Sequence, residues 1–146
     1  MSDPSPTVLL ETSMFRVVAQ GRLVTCTLGQ HPEVSLQDGA NAAKQLSELL
    51  RYRIFPSSTF DGLILDARDG PPVFGPSTRE SLAKMLDGAR VHRKRLGVLV
   101  GPAAIQQLQF KSICSQVAPD NSLVDSDEAR LRRWMNEGMG TQPGVR

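Results

Sequence analysis

The sequence predicts a single α/β domain: a mixed β-sheet of four to six strands with about four α-helices packed on it. Three observations carry that prediction. From residue 36 to residue 135, short apolar runs of strand length alternate with stretches of helical periodicity, the pattern of parallel strands joined by right-handed crossovers. Leu63-Ile64-Leu65 has no polar interruption and ends on Asp66, as a central strand covered on both faces does. Upstream, Met14 to Ala19 and Arg22 to Leu28 alternate apolar and polar residues on either side of Gln20-Gly21, which is a hairpin signal and makes the sheet mixed. A chain of 146 residues, 40% hydrophobic and 22% charged, suits one core of ordinary size.

Each element has its own warrant. Residues 1–6 are polar and proline-bearing and are expected to form a disordered tail, so order should begin at Thr7, where Thr7-Val8-Leu9-Leu10 opens the β-rich region. Gly29 to Val34, including His31 and Pro32, reads as a loop. Ser35 followed by Asp38 reads as a helix cap, and Leu36, Ala40, Ala43, Leu46 and Leu50 form one helical stripe. Tyr52, Ile54 and Phe55 lead to Pro56-Ser57-Ser58-Thr59, which ends this helix and turns the chain into the central strand.

After Asp66, the segment Arg68 to Pro76 cannot continue a strand, because its prolines lack donors and its glycines favour turns. Ser77-Thr78-Arg79-Glu80 has the spacing of a capping box with Ser77 as N-cap, ahead of a helix that buries Leu82, Met85, Leu86 and Ala89. Arg95 to Val100 is the next apolar strand, stopped by Gly101-Pro102. Ala103 to Val117 is a helix with Ile105, Leu108, Ile113 and Val117 among its apolar positions. Ser122-Leu123-Val124 is a last short strand, and Asp125 to Glu128 caps a final helix carrying Leu131, Trp134 and Met135. The domain thus spans residues 7–136, with a flexible tail over 137–146.

These elements resemble the STAS fold of anti-sigma factor antagonists, in its SpoIIAA-like (STAS/SEC14-like) branch. The resemblance covers roughly Phe15 to Met135 and is carried by Leu63-Ile64-Leu65-Asp66, the loop to the helix opened by Ser77-Thr78, Gly97-Val98-Leu99-Val100, and Asp127 through Met135. It implies a cytoplasmic bacterial regulatory module whose partner is another regulatory protein, a kinase or an anti-sigma factor. It also places a phosphorylatable serine at Ser77. Phe74-Gly75-Pro76 stands where the family's turn has an acidic residue and a serine, and no glycine follows Thr78. The SEC14-like side of the resemblance implies an alternative, carriage of a lipid or other small hydrophobic ligand.

The candidate partner-binding residues are Asp66, Arg68, Asp69, Phe74, Ser77, Thr78 and Arg79. Asp66, Arg68 and Asp69 form a charged group at a strand's carboxyl end, where open α/β sheets present ligands, or else Asp66 fixes the turn that follows it. Phe74, beside Arg68 and Arg79, either offers the aromatic and arginine character of an interface or covers the end of the sheet. Ser77 is either a cap or a phosphate acceptor favoured by a helix N-terminus.

Other classes find little in the sequence. A net charge of +2 does not make nucleic acid the default partner, and the cluster Arg90, Arg93, Lys94, Arg95 suits a helix C-terminus. Cys26 and Cys114 sit in apolar contexts without metal-ligand spacing and read as core residues of a protein from a reducing compartment. No secretory signal or membrane-spanning run is present. His31 and His92 lack a nucleophile motif, and no phosphate-binding glycine loop occurs, so neither an enzyme nor a cofactor is expected. The exposed N-terminal strand leaves a homodimer open.

Overall fold

In the structure, a computed structural model, residues 5–12, 14–29, 36–71 and 73–137 are described, residues 36–40 by their backbone alone. A six-stranded sheet runs in chain order: β1 (Thr7–Glu11), β2 (Phe15–Gln20), β3 (Leu23–Leu28), β4 (Gly62–Asp66), β5 (Arg95–Leu99) and β6 (Ser122–Asp125). The first three strands pair antiparallel and the last four parallel. The α/β class, the mixed sheet and the interior position of the Leu63–Asp66 strand agree with the sequence reading. Gly21, first of the two residues joining β2 to β3, has φ 63°, as a hairpin turn with glycine in that position requires.

Among the described residues, four helices of ten residues or more accompany the sheet: α1 (Leu36–Glu48), α2 (Pro76–Leu86), α4 (Ala104–Val117) and α5 (Glu128–Glu137), with a single turn α3 (Gly88–Val91) after α2. Because β3 to β6 advance in one direction through right-handed crossovers, α1, α2 and α4 share one face of the sheet. That face buries Val17, Val24, Cys26, Leu63, Leu65, Leu96 and Val98 against Leu46, Leu82, Leu86, Phe110 and Ile113. Side chains alternate across a strand, so Ile64 and Leu99 point to the opposite face, where α5 covers them with Leu131 and Met135.

Three local features depart from the sequence reading. First, the first helix ends ahead of Pro56 as expected, but its last part is not α-helical: Leu49–Ile54 is a π-helix, closed by the Phe55 N–H donating to the Leu50 carbonyl at 2.9 Å. Leu49 and Leu50 are buried together with Ile54 and Phe55 five residues later, and the wider π turn keeps both pairs on the core side. Second, Ile105 and Leu108 of α4, expected in its apolar stripe, are 58% and 66% exposed. The buried stripe is Gln106, Phe110, Ile113, Cys114 and Val117. Third, the basic cluster does not act as one helix cap. Arg90 pairs with Asp87, Lys94 donates to the Ser57 and Phe60 carbonyls, and Arg95 lies over the Trp134 ring. Arg93, φ 56°, takes the left-handed position that ends α3.

Two glycines permit close packing. A Cβ on Gly88 would lie 2.6 Å from the Phe55 ring, and one on Gly97 would lie 2.9 Å from Leu131 Cδ1 and 3.0 Å from Met135 Sδ. The expected tail over residues 1–4 and 138–146, the loop with His31, the Ser35 cap and the Leu36 and Ala40 side chains lie outside what is described. Among the described residues no helix is long and apolar enough to cross a membrane.

Candidate functional site

The seven predicted residues do not form one site; the sheet separates them into two groups. Asp66 follows Leu65 at the end of β4, so alternation turns it, like Ile64, toward the α5 face. There it pairs with Arg68 at 2.8 Å, Arg68 reaches Glu128 at 3.2 Å, and Glu128 pairs with Arg132 at 2.8 Å. Two carboxylates and two guanidiniums alternate, and their charges cancel. Partial burial pushes the Asp66 carboxyl up, but the guanidinium and backbone N–H of Arg68 outweigh it and hold the group below its ordinary value. Glu128 is held low by Arg132 first and by Arg68 as well. This network joins the end of β4 to the start of α5. Asp69, beside it in sequence, is exposed.

At the start of α5, Asp127 is the N-cap and accepts the Arg130 N–H at 3.2 Å. Asp125 pairs with Arg130 at 2.6 Å, and the guanidinium of Arg130 lowers its carboxyl to about 2. Glu128, one residue inside the helix, adds the negative charge that an N-terminus favours.

The second group faces the other way. Phe74 is half-buried, edge-on to Phe110 with ring centroids 5.3 Å apart. Its N–H donates to Gln109 Oε1 at 3.1 Å, and its carbonyl accepts from Gln109 Nε2 at 2.7 Å. The Phe74 ring thus covers the end of the sheet, while Val73 beside it is 55% exposed. Ser77 is not the N-cap of α2, and the capping box does not form. Gly75 holds the cap position in extended backbone without a side-chain cap, Pro76 is the first helical residue, and proline suits that position because its missing donor would have had no partner. Ser77 and Thr78 therefore sit two places further in, as the second and third helical residues, both exposed. Arg79 reaches across to α4, donating to Gln116 Oε1 at 3.1 Å and Ser112 Oγ at 2.8 Å.

The loop is fixed by residues absent from the sequence prediction. Gln106 is the buried polar side chain of the described core, 2% exposed. Its Oε1 accepts the Gly101 N–H at 2.8 Å, and its Nε2 donates to the Ala67 and Pro71 carbonyls at 2.9 and 3.0 Å. Gln107 donates to the Gly101 carbonyl at 2.9 Å. The signal was present: extending the Phe110, Ile113, Cys114, Val117 stripe back by one helical turn places Gln106 in the core and leaves Ile105 and Leu108 outside. On the helix surface Ile105 and Leu108 are neighbours, next to Gln109, which holds Phe74. Ile105 and Leu108 thus form an exposed apolar patch beside Gln109, and exposed Val73 belongs to the loop that Gln109 pins.

Beneath that loop lies a cavity of about 130 Å³ as bounded by described residues. Phe15, Leu28, Ala67, Phe74, Met85 and Phe110 are among the residues that line it. Cys26 and Cys114 are free and buried, and burial pushes their thiols up to about 12 and about 11 respectively. Among the described residues no three His, Cys, Asp or Glu side chains are grouped to hold a metal. Comparison with protein-family models, with curated proteins and with solved structures gives no match.

Proposed function

We propose that the chain is a non-enzymatic protein-interaction module of the regulatory kind that the STAS resemblance implies, with another regulatory protein as its partner. The observation that carries this reading is the exposure of Val73, Ile105 and Leu108 on and beside a loop that hydrogen bonds hold at Pro71 and Phe74. A prolyl segment pinned by two glutamines loses little further entropy on binding, so contacts made by its apolar residues convert to affinity with a small ordering cost. The recognition surface is therefore the loop 70–79 together with the outer ridge of α4. Asp66 and Arg68 serve α5 instead. The raised thiols support a non-catalytic role for both cysteines, since the thiolate is the nucleophile. Exposed Ser77 is the phosphorylation position in this reading, in the first turn of α2, where the helix dipole favours a phosphate.

Affinity pull-down from cells of origin tests the proposal. Wild type should recover a discrete partner that Ile105→Asp/Leu108→Asp loses and Phe74→Ala and Ser77→Asp weaken, with melting of the first variant unchanged. Equal recovery by all four proteins contradicts it.

The cavity favours a second reading, carriage of a small hydrophobic ligand. Its volume is close to that of engineered apolar cavities of about 150 Å³ that accept benzene, so it suits one ring or a short aliphatic group and not a whole lipid. Native mass spectrometry of freshly purified protein separates the outcomes: a bound species of that size supports carriage, and ligand-free protein throughout contradicts it.

A further inference from the structure

The patch continues into a groove whose charge indicates what it receives. On α4, Ile105, Leu108, Ser112 and Gln116 are spaced by three, four and four residues and form one ridge along the helix. Its amino-terminal half is apolar and exposed. Its carboxyl-terminal half holds Arg79 of α2 through Ser112 and Gln116, and there an open groove of about 630 Å³ runs between α2, α4 and the π-helix.

The groove lining contains three cations, Arg51, Arg79 and Lys84, and two carboxylates, Glu80 and Asp87. Both carboxylates are already paired, Glu80 with Lys84 at 3.4 Å and Asp87 with Arg90 at 3.0 Å. Arg79 is held by a neutral amide and a hydroxyl, which fix its position without cancelling its charge. Arg51 stands over the Tyr52 ring, 5.6 Å from its centroid, and is likewise uncompensated. Among the described residues neither guanidinium has a carboxylate within ion-pair distance. Two pre-positioned arginines thus continue an apolar strip, and arginine presents a fork of donors that matches a carboxylate.

We infer that this surface receives an acidic amphipathic segment of the partner, its apolar side on Ile105 and Leu108 and its carboxylates on Arg79 and Arg51. The inference rests on the interaction surface proposed above and specifies the partner's chemistry. Docking an amphipathic segment into a helix-lined groove uses the apolar contacts for affinity and the charges for orientation.

Selection of random displayed peptides on the intact chain tests it, followed by titration of the enriched peptides against wild type, Arg51→Gln/Arg79→Gln and Ile105→Asp/Leu108→Asp. Both double variants change surface residues, and their melting is measured alongside. Enriched peptides should combine Asp or Glu with apolar residues, lose affinity about tenfold with either variant, and weaken as salt rises. Basic or uncharged winners, or acidic winners indifferent to the arginine variant, overturn the inference. If the Ile105/Leu108 variant still abolishes binding in that case, the interaction surface stands and only the acidic assignment fails. Failure to enrich any peptide overturns both. An oligothymidylate that binds more tightly than every peptide and depends on the same arginines assigns the groove to nucleic acid and also overturns it.

Discussion

The two faces of the sheet use charge in opposite ways. On the α5 face, Asp66, Arg68, Glu128 and Arg132 neutralise one another, and Asp125 is matched by Arg130, so the charged groups there are committed to docking a single helix. On the α2/α4 face the core is closed by apolar packing, while the outer surface keeps Arg51 and Arg79 without a carboxylate partner among the described residues, beside exposed Ile105 and Leu108. A carboxyl-terminal sheet edge therefore does not act as one site merely because its residues are neighbours in sequence. The alternation of β4 turns Asp66 toward α5, and Arg68 is paired with it there, while Phe74 and Arg79 are held by α4.

The largest expected effect lies at the joint of the α2/α4 face. Gln106→Leu leaves the Gly101 N–H and the Ala67 and Pro71 carbonyls without their partner and should cost about 3 kcal/mol, since each orphaned buried group costs about 1–3 kcal/mol. Urea unfolding measures the loss, and hydrogen exchange should show the amides of residues 73–75 opening first. If those residues stay protected, the glutamine is not what fixes the loop.

Next comes the α5 face. Gly97→Val inserts a side chain where even a Cβ meets Leu131 at 2.9 Å, and overpacking of this kind costs about 1–3 kcal/mol. Exchange should rise across α5 while α4 keeps its protection. Loss of protection in both helices alike would show that the two faces are not independent.

The smallest effect is acid sensitivity. With a folded-state value of about 2 against an ordinary 3.8, the Asp125 carboxyl contributes stability that is fully present above about pH 4 and is lost as pH falls toward 2. Asp125→Asn should lower stability at neutral pH by about 1 kcal/mol and flatten that part of the acid limb. Asp66 and Glu128, also held low, supply the rest of the slope on this face. Acid titration followed by exchange should therefore loosen α5 before α4.

Much of the fold was legible because apolar periodicity is set by the core. Leu63 to Leu65, Val98 and the Gly21 hairpin gave the sheet and its mixed character, and Asp127 emerged as a cap within the segment expected to provide one. The misreadings came where several residues compete for one role. Ser77 has a capping side chain, but Pro76 fixes the first helical residue two places earlier and gives the cap to Gly75. Ile105 and Leu108 are apolar and look like core, yet the stripe through Phe110 and Ile113 leaves them outside and buries Gln106, whose hydrogen bonds offset its polarity. The π-turn after Glu48 was written in the five-residue spacing of Leu49/Leu50 and Ile54/Phe55, a period that a search for α-helical stripes does not detect. The split of the candidate site follows from strand alternation after Leu65, which a grouping by sequence neighbourhood ignores.

Site-specific photocrosslinking in cells of origin tests the central claim most directly, with a photoreactive residue placed singly at Val73 or Leu108 on one face and at Val18 or Thr25 on the outer side of β2 and β3. The account predicts a discrete crosslinked partner from positions 73 and 108 and none from 18 and 25. A partner captured from 18 or 25, with 73 and 108 silent, would contradict it.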